Sequence, residues 1–183
     1  MNSMDFCLRE LSERDKEMIF NWRNTEHIRM NMYNDQPIAY EDHSRWFEDM
    51  LENQKDYYRL FIYQQKPLGL ISFKNINHQN QSCVWGFYIG ESNAPKGSGT
   101  IMGCLGLDYA FHCLFMRKIV GEVLSFNEKS ERFHLKLGFK YEEIYKNKIS
   151  REDQFIDVIS FGLQKEVWEM HKGKLNLNFT AEA

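Results

Sequence analysis

The chain has 183 residues, 43% of them hydrophobic and 15% aromatic, which is enough for the core of one domain with a short tail. Its formal charge of −3 argues against nucleic acid as a partner, and its longest apolar runs are too short to span a bilayer. Met1–Glu10 is mixed and polar, unlike a leader, so a cytoplasmic protein without membrane contact is expected. Cys7, Cys83, Cys104 and Cys113 form no CxxC pair and the six histidines are scattered, so reduced, buried thiols and no metal site are expected.

Phe6–Leu11 reads as a first strand. Ser12-Glu13-Arg14-Asp15 has the form of a capping box opening a helix through Asn21. Residues 31–37 read as a loop, and Tyr40–Asn53 as a second helix with Trp46, Phe47, Met50 and Leu51 at core spacing. Tyr57–Gln64, Pro67–Lys74 and Ser82–Gly90 read as strands, the first two forming a hairpin. A glycine-rich loop then opens a helix over Gly99–Met116, apolar on most sides and hence buried. Lys118–Phe126 is a strand, Ser130–Leu137 a helix stopped by Gly138, and Phe155–Leu163 the last clear strand. From His171 the chain is polar and expected to fray. The order predicts an α/β (α+β) fold: one domain over residues 1–170, with helices packed on a mixed sheet, and a tail over 171–183.

The loop Ala94-Pro95-Lys96-Gly97-Ser98-Gly99 raises a physical question. Glycine inside a helix costs about 1 kcal/mol relative to alanine, but at a helix entrance it lets backbone N–H groups approach a ligand closely. The N–H groups near Gly97, Ser98, Gly99 and Thr100 are expected to point outward, unpaired, at the positive end of the helix dipole, where a diphosphate fits. A merely tight loop is the alternative. The loop is neither a Walker A motif nor GxGxxG.

Twenty-eight residues after Gly99 stands Asn127, within Asn127-Glu128-Lys129-Ser130-Glu131-Arg132-Phe133-His134-Leu135-Lys136-Leu137-Gly138-Phe139. The two segments together resemble the GNAT superfamily of N-acetyltransferases, whose loop reads Gln/Arg-x-x-Gly-x-Gly/Ala and whose later segment reads Asn-x-x-Ala-x-x-Leu-Tyr-x-Lys-x-Gly-Phe. The resemblance covers about Phe6 to Val167. It implies a central, mostly antiparallel sheet splayed between two strands, helices on both faces, and acetyl-CoA as cosubstrate. It places the diphosphate on Lys96, Gly97, Ser98, Gly99 and Thr100, with Asn127, Ser130 and Lys136 also on the cofactor. The pantetheine arm would pair with the backbone of Phe87, Tyr88 and Ile89, whose N–H groups would polarise the thioester. The chain departs from the pattern twice. Ala94 replaces a polar side chain. His134 stands where the family often has a tyrosine that protonates the leaving thiolate; it is either that acid or a packing residue.

The N-terminal half carries Trp22-Arg23-Asn24, then Arg29, Met32 and Tyr33, then His43 and Trp46. This pattern resembles the acetyltransferases that act on nucleotide-linked amino sugars, in particular on the 4-amino group of a UDP-linked dideoxy sugar in pseudaminic acid synthesis, which feeds flagellin glycosylation. Arg23 and Arg29 would clamp phosphates. Tyr33, His43 and Trp46 would line base or sugar, and Met32 would face a methyl group; core packing is the alternative for Trp22 and Trp46. Glu122, in a mostly apolar setting beside the cleft, is the expected general base, with a solvent-facing strand residue as the alternative. No metal is required, and a homodimer is a further expectation. The rival acceptors are a ribosomal-protein N-terminus, an aminoglycoside or a polyamine; a non-catalytic acetyl-CoA binder is the remaining reading.

Overall fold

Alternation along the strands builds two cores, one on each face of a single sheet. In the computed structural model, which describes residues 5–53, 55–152 and 154–175, strand β2 (Tyr57–Tyr63) sends Tyr58, Leu60 and Ile62 to one face, where they pack with Ile19, Trp22, Ile28 and Phe47. Phe61 points the other way, into the larger core with Ile71, Phe73, Cys83, Trp85, Met102, Leu107 and Phe111. Helices α1 (Lys16–Asn24), α2 (Glu26–Arg29) and α3 (Tyr40–Glu52) supply the first face. Helices α4 (Ser98–Asp108), α5 (Glu128–Lys136) and α6 (Lys165–Lys172) supply the second. None of these helices is long and apolar enough to cross a membrane.

The other strands are β1 (Phe6–Arg9), β3 (Lys66–Asn77), β4 (Ser82–Ile89), β5 (Lys118–Leu124), β6 (Lys140–Arg151) and β7 (Gln154–Gln164). Among the described residues they form a seven-stranded sheet in the order β1-β2-β3-β4-β5-β7-β6. Every neighbouring pair is antiparallel except β4–β5, which is parallel. That pair runs only from Ser82↔Lys118 to Trp85↔Gly121. Beyond it β4 stays on β3 as far as Ile89↔Gly69, and β5 stays on β7 as far as Leu124↔Val158. The sheet therefore opens between Gly86–Ile89 and Glu122–Leu124. This is the expected splay.

Several elements differ from the sequence reading. The α1 start is as expected in kind: the Ser12 N–H donates to the Asp15 carboxylate at 2.8 Å, and Arg9 grips the same carboxylate at 2.8 and 3.0 Å. The short α2 and the long β6 were not anticipated. Strand β6 (KYEEIYKNKISR) is an edge strand with almost every side chain in solvent, so it shows no alternation of apolar and polar residues. Helix α6 was also missed; it is anchored by the fully buried Trp168, whose indole N–H donates to Asp108 at 2.8 Å. His171, expected to fray, lies in the last turn of α6 with Nε2 at 2.8 Å from the Lys136 carbonyl. Residues 176–183 of the expected tail lie outside the described residues. Of the thiols, Cys83 and Cys104 are buried and pushed up to about 12 by that burial, whereas Cys7 and Cys113 are exposed rather than buried.

Gly90, at the end of β4, is a packing requirement. A Cβ there would lie 2.0 Å from the Trp22 ring, and the Trp22 indole N–H donates to Glu91 at 3.1 Å. Helix α1 is thereby pressed onto the strand end that leads to the glycine loop. Gly90→Ala is expected to destabilise the fold by about 1–3 kcal/mol, the usual cost of overpacking, read as a lowered urea midpoint with an altered Trp22 fluorescence.

Candidate active site

Two groups of residues meet at the splay, one at the start of α4 and one on the loop between α2 and α3. The first is built from backbone. Gly97 is the N-cap of α4 with φ of +94°, a left-handed conformation that favours glycine. Gly99 is different: its φ is not positive, and a Cβ there would meet nothing within 4 Å. Among the described residues nothing calls for glycine at 99, and the space over the helix start is open. The expectation of four bare N–H groups needs correcting. Ser98 N–H donates to the Pro95 carbonyl at 3.0 Å and Thr100 N–H to Gly97 at 2.9 Å, because the first turn closes on itself. The N–H groups of Gly97 and Gly99 have no partner among the described residues. The Ser98 hydroxyl is buried and likewise unpartnered.

Helix α5 completes this end. Asn127 caps it, its side-chain oxygen accepting from Ser130 N–H at 3.0 Å. From its last turn Lys136 reaches the start of α4, donating to the Thr100 hydroxyl at 2.8 Å. Lys96 stands exposed on the loop. Two free N–H groups, a helix N-terminus and two ammonium groups fit a diphosphate. Along the cleft, Phe87 packs on Phe133 at 4.8 Å while Tyr88 turns to the opposite face against Trp22 at 6.5 Å. The unpaired edge of Phe87, Tyr88 and Ile89 faces the gap.

The acceptor end is built from side chains. Asn24 pins the far end of the loop, donating to the Ile38 carbonyl at 3.0 Å and accepting its N–H at 2.8 Å. Arg23 donates to the Asn34 carbonyl at 3.2 Å through one terminal nitrogen; the other is buried without a partner among the described residues. Burial holds this guanidinium below its ordinary range, with the nearby Arg29 charge adding to the effect. Lys74 of β3, not singled out in the sequence, is lowered in the same way, by burial first, with Arg23 adding to it and Asp56 opposing. Its ammonium lies 5.6 Å over the Tyr58 ring, and Tyr58 touches the part-exposed Trp46 at 5.6 Å. Arg29 donates to the Asp35 carbonyl at 2.5 Å. The Met32 side chain packs against the α1–α3 core. The Tyr33 hydroxyl donates to one Glu122 oxygen, and Lys148 holds the other at 2.9 Å. Burial, followed by that hydrogen bond, pushes the Tyr33 phenol up.

Two expectations are corrected here. Glu122 is not in an apolar setting, because a hydroxyl and an ammonium contact its two oxygens. His43 does not line a pocket. It is 2% exposed among the rings of Phe20, Trp46 and Phe47, and its Nε2 lies 2.9 Å from the Lys16 carbonyl. It ties α3 to α1 instead. Lys148 and Arg151, which both reach this end, sit on the unforeseen β6.

His134 was left open between an acid and a packing residue, and its surroundings favour packing. It is 2% exposed, and its Nε2 faces the Trp85 indole nitrogen at 3.1 Å while Nδ1 faces the Ser130 carbonyl at 2.8 Å. An indole only donates and a carbonyl only accepts, so Nε2 is the acceptor and Nδ1 carries the single proton. Burial lowers the ring to about 4, against the opposing Ser130 carbonyl. The ring is therefore neutral near pH 7, with its only proton turned into α5. Gly121 makes room for it, since a Cβ there would lie 2.3 Å from Nε2. The folded value lies below the ordinary one, so protonation favours unfolding. This contribution to stability is complete above about pH 6.5 and is lost as pH falls toward 4, by about 1.4 kcal/mol per unit and on the order of 3 kcal/mol in all. His134→Phe is expected to flatten that part of the stability–pH curve measured by urea unfolding.

Comparison with known proteins agrees with the geometry. Residues 5–140 match the family model described as Acetyltransferase (GNAT) domain. The chain is 30% identical over 125 residues to acetyltransferase PseH of Campylobacter jejuni, covering 68% of this chain and 76% of that protein. It is also 30% identical over 132 residues to the SPbeta prophage-derived uncharacterized N-acetyltransferase YokL of Bacillus subtilis, covering 70% and 72%. Among solved structures, spermidine N-acetyltransferase of Vibrio cholerae in complex with CoA and spermine superposes with a TM-score of 0.83 over 91% of this chain and 99% of that one, at 20% identity, which shows a shared fold. With the motif, the splayed sheet and the family model in agreement, the chain belongs to the GNAT acetyltransferases and is an acyl-CoA-dependent N-acetyltransferase.

Proposed function

We propose that this enzyme transfers the acetyl group of acetyl-CoA to the 4-amino group of a UDP-linked amino-deoxy sugar of pseudaminic acid synthesis. The observation that carries the reading is the Arg23 terminal nitrogen, buried without a partner beside Arg29 and Lys74. A buried guanidinium donor left unpaired is costly, and an anion relieves it. At an effective dielectric of about 20, charges 4 Å apart interact by roughly 4 kcal/mol. A nucleotide diphosphate is attracted to such a cluster, while a polyamine or aminoglycoside is repelled. Identity to PseH supports the same choice.

In this reading Gly97 and Gly99 N–H, with Lys96 and Lys136, hold the diphosphate of acetyl-CoA, Asn127 and Ser130 stand beside it, and the free edge at Phe87–Ile89 pairs with the pantetheine arm. Arg23, Arg29 and Lys74 take the nucleotide diphosphate, and Trp46 with Tyr58 offers an aromatic face at the rim. The amine must lose its proton to attack, and Glu122 receives it. N–H groups of Phe87–Ile89 stabilise the oxyanion. The carbon–sulfur bond then breaks with the electron pair on sulfur. A thiol with an ordinary value near 8.5 leaves as thiolate without an acid, which suits a neutral His134.

The test is release of free thiol from acetyl-CoA with UDP-4-amino-4,6-dideoxy-N-acetyl-altrosamine, spermidine, an aminoglycoside and a basic peptide in parallel. Release with the nucleotide sugar alone is expected; release only with a cationic amine or peptide overturns the acceptor. For the cofactor end, Gly99→Ala separates ligand from fold. The alanine finds open space and gains up to about 1 kcal/mol of helix propensity. Thermal stability should hold or rise, while acetyl-CoA affinity by calorimetry falls about tenfold or more, which is ~1.4 kcal/mol.

A further inference from the structure

The segment from Met30 to Asp35, between α2 and α3, is held by its carbonyl groups. Arg23 takes that of Asn34 at 3.2 Å, Arg29 that of Asp35 at 2.5 Å, and Arg151 those of Met30, at 3.0 Å, and Met32. Arg23 and Arg29 are local, on the helices leading into the loop. Arg151 comes from the end of β6, about 120 residues further along, and is the member of this set that ties the loop across the splay. Its side chain is only 12% exposed, lies 3.7 Å from the Asp35 carboxylate and sits 5.5 Å over the Phe126 ring. A planar fork of donors suits two carbonyls two residues apart; an ammonium does not.

Tyr33 follows Met32 directly. Its hydroxyl donates to Glu122, whose second oxygen is held by Lys148, also of β6. The Lys148 ammonium lies 5.6 Å over the Tyr33 ring and 4.3 Å over Tyr145. From β7, Ser160 stands in register with Glu122, and beyond it Glu143 of β6 in register with Ser160. Strand β6 thus holds Glu122 by two routes, one direct through Lys148 and one through the loop.

We propose that Arg151 is a positioning residue: by fixing the carbonyls of Met30 and Met32 it sets the Tyr33 hydroxyl on Glu122 and so aims the carboxylate that receives the acceptor's proton. This rests on the reading of Glu122 as the base. It makes the loop a strap across the open strands, drawn tight from the sheet edge.

The experiment is a ¹³C-carboxyl NMR spectrum of Glu122 at a fixed pH of about 7 in the ligand-free protein, with Glu122→Gln for assignment, in the wild type, Arg151→Met, Arg151→Lys, Tyr33→Phe and the Arg151→Met/Tyr33→Phe double variant. Loss of the Tyr33 hydrogen bond should displace the Glu122 carboxyl resonance. Arg151→Met and Arg151→Lys should each displace it in the same direction, and the double variant should go no further than the larger single displacement. Turnover should follow, with kcat about tenfold lower in each variant, not a hundredfold in the double, and KM for acetyl-CoA within about twofold. An unmoved resonance in Arg151→Met overturns the proposal, as do full additivity in the double variant and wild-type behaviour of Arg151→Lys, which would leave charge alone as the cause. Should Arg151→Met not fold, Arg151→Lys and Tyr33→Phe decide. The spectrum needs no acceptor, so silence of the nucleotide sugar would fail the substrate reading alone, and full kcat in Glu122→Gln would fail the base.

Discussion

The pairing of β4 with β5 ends at Trp85↔Gly121, and the arrangement of the site follows from that stop. Each strand remains bonded on its outer side, β4 to β3 and β5 to β7, so the gap between them is held open by the rest of the sheet. Backbone donors and acceptors on the inner edges are left without strand partners, and such groups are costly to keep dry and unpaired. An extended ligand that pairs like a strand satisfies them. The floor of the gap is packed by Trp85 and His134, stacked against Phe139 and Phe161, and Gly121 is what lets the imidazole lie there.

The two ends of the cleft use different physics. At α4 the groups that fit an anion are backbone N–H groups and a helix dipole, which need only correct φ/ψ and the absence of side chains at Gly97 and Gly99. At the other end, which the proposed function assigns to the acceptor, stand charged side chains brought from α1, α2, β3, β5 and β6. Burial holds Arg23 and Lys74 below their ordinary ranges, with a neighbouring guanidinium adding to the effect in each case. A shared fold therefore says little about the acceptor: the Vibrio cholerae spermidine enzyme has the same architecture at 20% identity.

The cofactor loop was legible because its information is local. Gly97, Ser98 and Gly99 sit at fixed offsets in front of an apolar run, and the Asn127 segment carries its own cap and its Gly138 stop. The acceptor residues were legible as types and less so as roles. His43 and His134 have the composition of site residues, yet each spends its nitrogens on backbone or indole partners inside the core. Glu122 was placed on the right strand beside the cleft, but what faces it comes from a loop and from β6. Strand β6 escaped notice because an edge strand wetted on both faces has no hydrophobic period, and Lys148 and Arg151 escaped with it.

The sequence by itself determined the family, through the resemblance of two short motifs, and the glycine opening of α4 and the Asn127 cap of α5, since these depend on backbone signals a few residues long. The tertiary structure alone decided which polar residues are spent on the fold and which are left free. That choice depends on what stands opposite each group, as Trp85 stands opposite His134 and nothing among the described residues stands opposite the buried nitrogen of Arg23. Residues far apart in the chain meet only when the sheet is assembled. A side chain's charge, proton and reach are set by that company.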